Sequence, residues 1–348
     1  MKDYKYLAAY SIPLSAVLSI SLLGYWTYFT VFFAFVIIPV LELILPERSE
    51  IYNDFQKSSR LKNKFFDWLL YLNIVVVFGV LSFALYTLTV FELETYEYVG
   101  LVFSTGIVLG VNGINVGHEL GHRLNTKEKY LGKLLLLPSL YMHFFIEHNF
   151  GHHLNVATKD DPATAKYNQN LYSFWFTSTI GQYFKAWHIQ KKLIKQSGKK
   201  FFSIHNDMLW YIIIQGIYLY IVFLVFEFQG VVFALLSAMV GFLLLETVNY
   251  IEHYGLMREK LDSGRYERVK KIHSWNSNHI IGRIVLYELT RHSDHHYKSN
   301  KKYQILECHE ESPQMPYGYP TSMVLALIPP LWFKIMNKRV PKKMISLQ

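Results

Sequence analysis

The apolar positions of this chain come in long unbroken blocks, not at the two-residue or 3.6-residue periods of half-buried elements. From Leu7 to Leu45 the run "LAAYSIPLSAVLSISLLGYWTYFTVFFAFVIIPVLELIL" carries one acid, Glu42, and no base. That is enough for two membrane-spanning helices of roughly 20 residues each, predicted at 7–26 and 27–45 as a hairpin. It is also too long for a cleaved signal segment, and no small-residue cleavage site follows its first half. Charge-poor blocks at 68–91, 98–116, 208–226 and 228–245 predict four further spans. Only "EFQ" around Glu227 separates the last two, which predicts a second tight hairpin. Shorter apolar runs at 131–145 and 322–336 contain Pro138 and Pro329-Pro330, and read as interfacial or re-entrant segments.

No repeat or low-complexity linker divides the chain. The expectation is therefore a single all-α integral membrane domain over residues 1–348, with six transmembrane helices and a cytosolic cap. Composition agrees: 17% aromatic and 18% charged residues suit a protein that meets lipid. Every Lys and Arg falls within 1–5, 48–64, 123–200 or 258–348, and six spans put all four segments on one side. The positive-inside rule makes that side the cytoplasm, so the expected location is the inner membrane. The net charge of +9 then reports topology and contact with anionic headgroups. No nucleic-acid-binding motif accompanies it, and nucleic acid is not expected as a partner. The single Cys308 excludes an internal disulfide, a Cys-ligated zinc site and a fused iron–sulfur or rubredoxin-like module.

Nine of the fifteen histidines gather in four motifs. "GHELGHR" holds His118 and His122; "EHNFGHH" holds His148, His152 and His153; "NYIEHYGL" holds His253; "RHSDHH" holds His292, His295 and His296. On an α-helix, residues four apart share a face, so His118 with His122, His148 with His152, and His292 with His296 can each clasp one ion. His153 and His295, each next to one of these, point roughly 100° away and can serve a second ion. One HxxxH box occurs by chance and a lone histidine is usually a hydrogen-bonded surface group, but three boxes on one side of the membrane point to metal. Imidazole at this density selects a borderline transition metal. Nine ligands suit two ions with open positions, which favours iron over zinc because oxygen can bind there. Glu119, Glu147, Glu252 and Asp294 each adjoin a proposed ligand and are candidates to accept its outer ring N–H. His143, His188, His205, His273, His279 and His309 lie outside the motifs. "GHELGHR" also contains HExxH, the zinc-protease pattern with Glu119 as base, but a protease has no need of the other boxes.

The boxes resemble those of the membrane-bound desaturase and hydroxylase superfamily. The finer resemblance is to the alkane 1-monooxygenases, carried by "NYIEHYGL", "RYERVKKIHSWNSNH" at 265–279, "RHSDHH" and "PQMPYGYPTSMVLALIPPLWFKIM" at 313–336. "HYG" separates these hydroxylases from ordinary desaturases. Carried over by position, the resemblance implies a non-haem di-iron site held by the nine histidines, facing the cytosol. It also implies O2-dependent hydroxylation of the terminal C–H bond of a medium- or long-chain n-alkane, with electrons from rubredoxin and its NADH-dependent reductase. Arg123 stands where the first box usually ends in Lys, and Thr290 where Gln commonly precedes the third. Related alkyl-aromatic hydroxylases share the boxes, so the enzyme rivals are an alkyl-aromatic methyl hydroxylase, a fatty-acyl ω-hydroxylase and a desaturase, and a metal transporter is a rival of another class. Transporter sites, however, sit near the bilayer midplane, whereas these motifs follow the spans.

Overall fold

The computed structural model of the chain describes residues 2–45 and 47–348. It is all-helical: among the described residues the only β features are the isolated bridges Lys260–Tyr266 and Asn276–Gln314. Among the described residues, five helices are long and apolar enough to cross a membrane: α1 (Asp3–Leu22), α2 (Gly24–Ile44), α3 (Phe65–Val90), α4 (Thr95–Gly121) and, after two further helices named below, Asp207–His253. The further pair is α5 (Thr126–Leu136) and α6 (Leu171–Gln196), which makes Asp207–His253 α7. The chain divides into two compact units.

The first unit comprises Met1–Ile37, Asn63–Ile146 and Ala186–Leu245. Its spans expose large apolar side chains such as Leu14, Val75, Leu224 and Phe228, as a lipid-facing surface requires. Several polar groups inside the spans pair with one another, because hydrocarbon offers no partner. Ser19 Oγ and Thr30 Oγ1 meet at 3.1 Å across the first hairpin, Ser104 Oγ donates to the Thr27 carbonyl at 2.6 Å, and Asn112 donates to Asn73 Oδ1 at 2.8 Å.

α7 is the one departure in span count: two predicted helices form one 47-residue element, broken at Glu227 (φ 57°, ψ −164°). Leu23, at the turn of the first hairpin, has nearly the same backbone angles (φ 51°, ψ −159°). The contacts of α7 show that it reverses there. Asp207 is bridged by Lys133 Nζ at 2.7 Å, just beyond the end of α4. After Glu227 the chain runs alongside α4 in the same direction, with Phe233 against Tyr98 (ring centroids 5.6 Å apart) and Gly241 against Gly110. α4 crosses α5 tightly as well: a Cβ on Gly132 would stand 2.8 Å from the Gly117 carbonyl oxygen.

The second unit comprises Ile38–Lys62, Glu147–Lys185 and Glu246–Gln348, largely short helices and ordered irregular chain. The runs predicted as interfacial near the C-terminus form the short helices Tyr319–Ala326 and Pro329–Met336. Trp332 packs 5.5 Å from both Tyr250 and Tyr254, the Tyr254 hydroxyl donates to Asn337 at 2.7 Å, and Trp275 Nε1 donates to the Tyr254 carbonyl at 2.9 Å. α7 ends at Gly255, whose φ of +71° favours glycine. The Gly255 N–H donates to the Ala165 carbonyl at 2.9 Å. The "HYG" motif is thus one ligand candidate, one aromatic anchor and one helix stop.

Candidate metal centre

Both α4 and α7 run further than the charge-poor blocks that predict them, past Val116 and past Leu245, so that the histidines of the first box and His253 stand on or at the end of long helices. His118 and His122 are held in the first unit with ring centroids 4.8 Å apart. In the second unit, His292, His295 and His296 lie on a single short helix, α8 (His292–Tyr297). Asn276 secures its start, accepting from the Ser293 N–H at 2.9 Å and donating to Ser293 Oγ at 2.6 Å.

Four imidazoles of this unit aim their Nε2 atoms at one point. His152 to His296, His296 to His292, and His292 to His253 are separated by 3.2, 2.9 and 3.1 Å, Nε2 to Nε2. All four are buried, and their ligand atoms lie within 4.8 Å of one another. Neutral imidazole has one N–H and one lone pair, so convergent nitrogens cannot all satisfy one another by sharing protons. A cation satisfies them together: metal–nitrogen bonds of about 2.0–2.1 Å put neighbouring ligand nitrogens roughly 3.0–3.4 Å apart. Burial pushes His295 down to about 3 and His296 well below the usual imidazole range, so both rings are neutral and keep a lone pair.

A second set adjoins the first. His148 and His153 meet Nε2 to Nε2 at 3.0 Å, and His295 lies with its ring centroid 4.9 Å from that of His153. The sets are neighbours through His153 and His296, whose centroids are 4.5 Å apart. The pairing within the second box differs from the sequence expectation. His148 joins His153, five residues on, and His152 turns to the other set. The cause is the backbone: 148–152 is a π-helix, whose wider turn closes every five residues and brings i and i+5 to one face. The third box follows the α-helical rule, with His292 and His296 together and His295 turned away.

The four acids chosen from sequence have different fates. Glu252 was expected to hold an outer N–H; instead its Oε2 is 3.1 Å from His292 Nε2, the nitrogen that faces the cluster. Asp294 holds chain, not a boxed ring: it takes Lys301 Nζ at 2.6 Å, the Glu307 N–H at 2.8 Å and His309 Nε2 at 2.9 Å. Glu119 forms an ion pair with Arg123 at 3.1 Å, and Arg123 also reaches Asp67 at 3.1 Å, which engages the would-be protease base. Glu147 is fully buried 3.4 Å from Lys185, and burial together with Asp161 pushes it up to about 7. Asp161, outside the motifs, does hold an outer ring nitrogen, with Oδ2 2.9 Å from His152 Nδ1. Burial alone would raise the Asp161 carboxyl, but His152 and Lys185 outweigh it and hold it well below the ordinary carboxylate range. Sequence reasoning passed over Asp161 because it stands nine residues from its histidine, in a loop with no helical register. The six histidines outside the motifs stay outside both sets among the described residues.

A fatty acid desaturase family model matches residues 94–324, the stretch that contains all nine boxed histidines. Alkane 1-monooxygenase 2 of Alcanivorax borkumensis is 40% identical over 98% of this chain and 91% of its own length. The chain belongs to the alkane 1-monooxygenase family. Another member, alkane 1-monooxygenase 1 of Pseudomonas aeruginosa, is 36% identical over 91% of this chain and 84% of its own. The hydroxylase component of the xylene/toluene monooxygenase of Pseudomonas putida is 30% identical over 90% and 82%. Like the family, the chain is a multi-pass membrane protein with a histidine cluster suited to metal. Its two departures from the family pattern have structural roles: Arg123 bridges Glu119 and Asp67, and the Thr290 hydroxyl donates to the Ser277 carbonyl at 2.9 Å.

Proposed function

We propose that this protein is a non-haem di-iron alkane 1-monooxygenase that converts a medium- or long-chain n-alkane to the 1-alkanol. The observation that carries the reading is the convergence of four buried Nε2 atoms beside a second histidine set, in a chain 40% identical to an alkane 1-monooxygenase over nearly its full length. His152, His253, His292 and His296 would hold one iron, and His148, His153 and His295 the other. His118 and His122 complete the nine ligands that the sequence motifs propose for the two irons. An unactivated C–H bond offers no handle to acid–base groups, and bound iron supplies the oxidising chemistry that breaks it with O2. One oxygen atom enters the alcohol, the other leaves as water, and the electrons come from outside the chain. The chain's own residues orient the rings and, by burying them, keep water from the centre.

The topology goes with this reading. With α7 taken as two crossings turned at Glu227 the chain would cross the inner membrane six times, and the lysine and arginine distribution supports a cytoplasmic site. Reducing equivalents would come from rubredoxin and its NADH-dependent reductase, since one cysteine cannot build an iron–sulfur module in this chain. The substrate is hydrophobic and enters from the bilayer.

Reconstitution of the purified protein with rubredoxin, its reductase, NADH and either octane, xylene or a fatty acid tests the proposal. 1-Octanol as the main product, from protein holding about two irons, is the expected result; absence of oxygenated product from all three would overturn it. The similarity to the xylene/toluene hydroxylase component supports a second reading, an alkyl-aromatic methyl hydroxylase, which predicts benzylic alcohol from xylene in preference to octanol.

A further inference from the structure

In the first unit, the end of α6 and the chain that follows it enclose an open groove of about 610 Å³, lined by Trp187, His188, Lys191, Ile194, Lys195, Lys199 and Phe201. Its construction is specific. Gly198 (φ +67°) stops the helix, with the Gly198 N–H on the Lys195 carbonyl and the Lys199 N–H on the Ile194 carbonyl, both at 3.1 Å. The turn sends Lys199 and Phe201 back over the helix, where Phe201 meets Trp187 at a centroid separation of 6.0 Å. Gln190 Nε2 holds the His205 carbonyl at 3.1 Å, and Asn206 Nδ2 holds the Phe201 carbonyl at 3.0 Å, so the return chain is tied at both ends. An apolar floor of Trp187, Ile194 and Phe201 thus carries a rim of three exposed lysines.

We propose that this groove binds one anionic phospholipid, with the phosphate among Lys191, Lys195 and Lys199 and the upper acyl chain along the apolar floor. Charge complementarity calls for an anion, and the floor calls for an apolar tail on it. The surroundings place the groove in the headgroup layer: Phe202 and Ile204 are 82% and 75% exposed, and the membrane-spanning α7 begins at Asp207. Side chains of that kind belong at a lipid interface, where juxtamembrane lysines attract anionic headgroups. An acidic soluble protein would meet the lysines but leave the floor unfilled.

Native mass spectrometry of the full-length protein, extracted from nanodiscs containing phosphatidylglycerol or phosphatidylcholine, tests the proposal. Each lysine near an anionic surface is worth roughly fivefold in binding. The triple change Lys191→Ala, Lys195→Ala and Lys199→Ala is therefore expected to weaken phosphatidylglycerol retention on the order of 100-fold, with metal content unchanged. The corresponding triple arginine variant keeps the charge and is expected to restore retention, which separates a lost site from a damaged fold. Equal retention of the two lipids, or the same phosphatidylglycerol retention in parent and alanine variant, would overturn the proposal. So would lysine-dependent binding of reduced rubredoxin that phosphatidylglycerol fails to displace.

Discussion

His152 and Asp161 are joined by a 2.9 Å contact between Nδ1 and Oδ2, and the same carboxyl also receives the Thr164 hydroxyl at 2.6 Å. A carboxylate on Nδ1 fixes the proton there and leaves the Nε2 lone pair facing His296. Loss of such an outer partner typically costs 10- to 100-fold in metal affinity. Asp161→Asn is therefore expected to weaken metal binding by about that factor in competition with a chelator, and to alter the spectroscopic signature of the bound metal. Unchanged affinity in the variant would remove Asp161 from this role.

The π-helical turn of the second box gives a test that ordinary substitution cannot. Phe150 is about half exposed, and Phe150→Ala should change stability by no more than about 0.5 kcal/mol in denaturant unfolding. Deleting Phe150 shortens the turn and rotates His152 and His153 by about 100° relative to His148. Metal content, read by elemental analysis, should then fall well below that of Phe150→Ala. Equal metal content in the two variants would mean that the π turn is dispensable.

Arg283 and Glu288 form a buried bidentate pair, Nε to Oε2 at 2.8 Å and Nη2 to Oε1 at 3.1 Å, just ahead of the third box. Glu288 Oε2 also lies 3.4 Å from Arg291 Nε, and Arg291 Nη1 donates to the Leu306 carbonyl. Breaking a buried pair by removing one partner costs about 3–5 kcal/mol, because the other charge stays buried. Arg283→Ala should lose about that much stability, seen as a lower denaturant midpoint. A paired Arg283→Met, Glu288→Leu change should not recover it, because the buried Arg291 then loses the Glu288 carboxylate.

Acid should destabilise the metal-free protein through its buried rings. Burial drives His143 and His295 down to about 3, and burial drives His273 down to about 4, against an unfolded value near 6.5. Below 6.5 the unfolded chain takes up protons that the folded rings refuse, so this stability is complete above pH 6.5 and is lost as pH falls toward 4 and then 3. Each ring contributes up to about 1.4 kcal/mol per pH unit inside its window. Unfolding midpoints of chelator-treated protein should thus fall steadily from pH 6.5 to pH 4.5; a flat profile there would mean that the rings are hydrated.

Much of this protein was legible as sequence because lipid and metal both impose simple rules. Hydrocarbon forces long apolar helices, so the spans could be read from charge-poor blocks. The blocks at 208–226 and 228–245 form one element, and the ends were misjudged, since α4 continues through the polar His118 to Gly121 and α7 through Glu252 to His253. Histidine spacing picked out the residues that gather, but not which ring faces which: His148–His153 depends on a helix type that no α-helical period anticipates. Adjacency in sequence could not find Asp161, which the fold brings in from a loop, nor foresee that Arg123 pairs with Glu119 and that the 301–309 segment gathers on Asp294.

α8 sends His292 and His296 to one histidine set and His295 to the other, and the π turn does the same with His152 against His148 and His153. Each short segment therefore belongs to both sets at once. Filling one set freezes the segments that the other set needs, so the second ion binds to a frame whose ordering cost has already been met. Loading should be cooperative, with protein carrying a single ion a minor species throughout a metal titration.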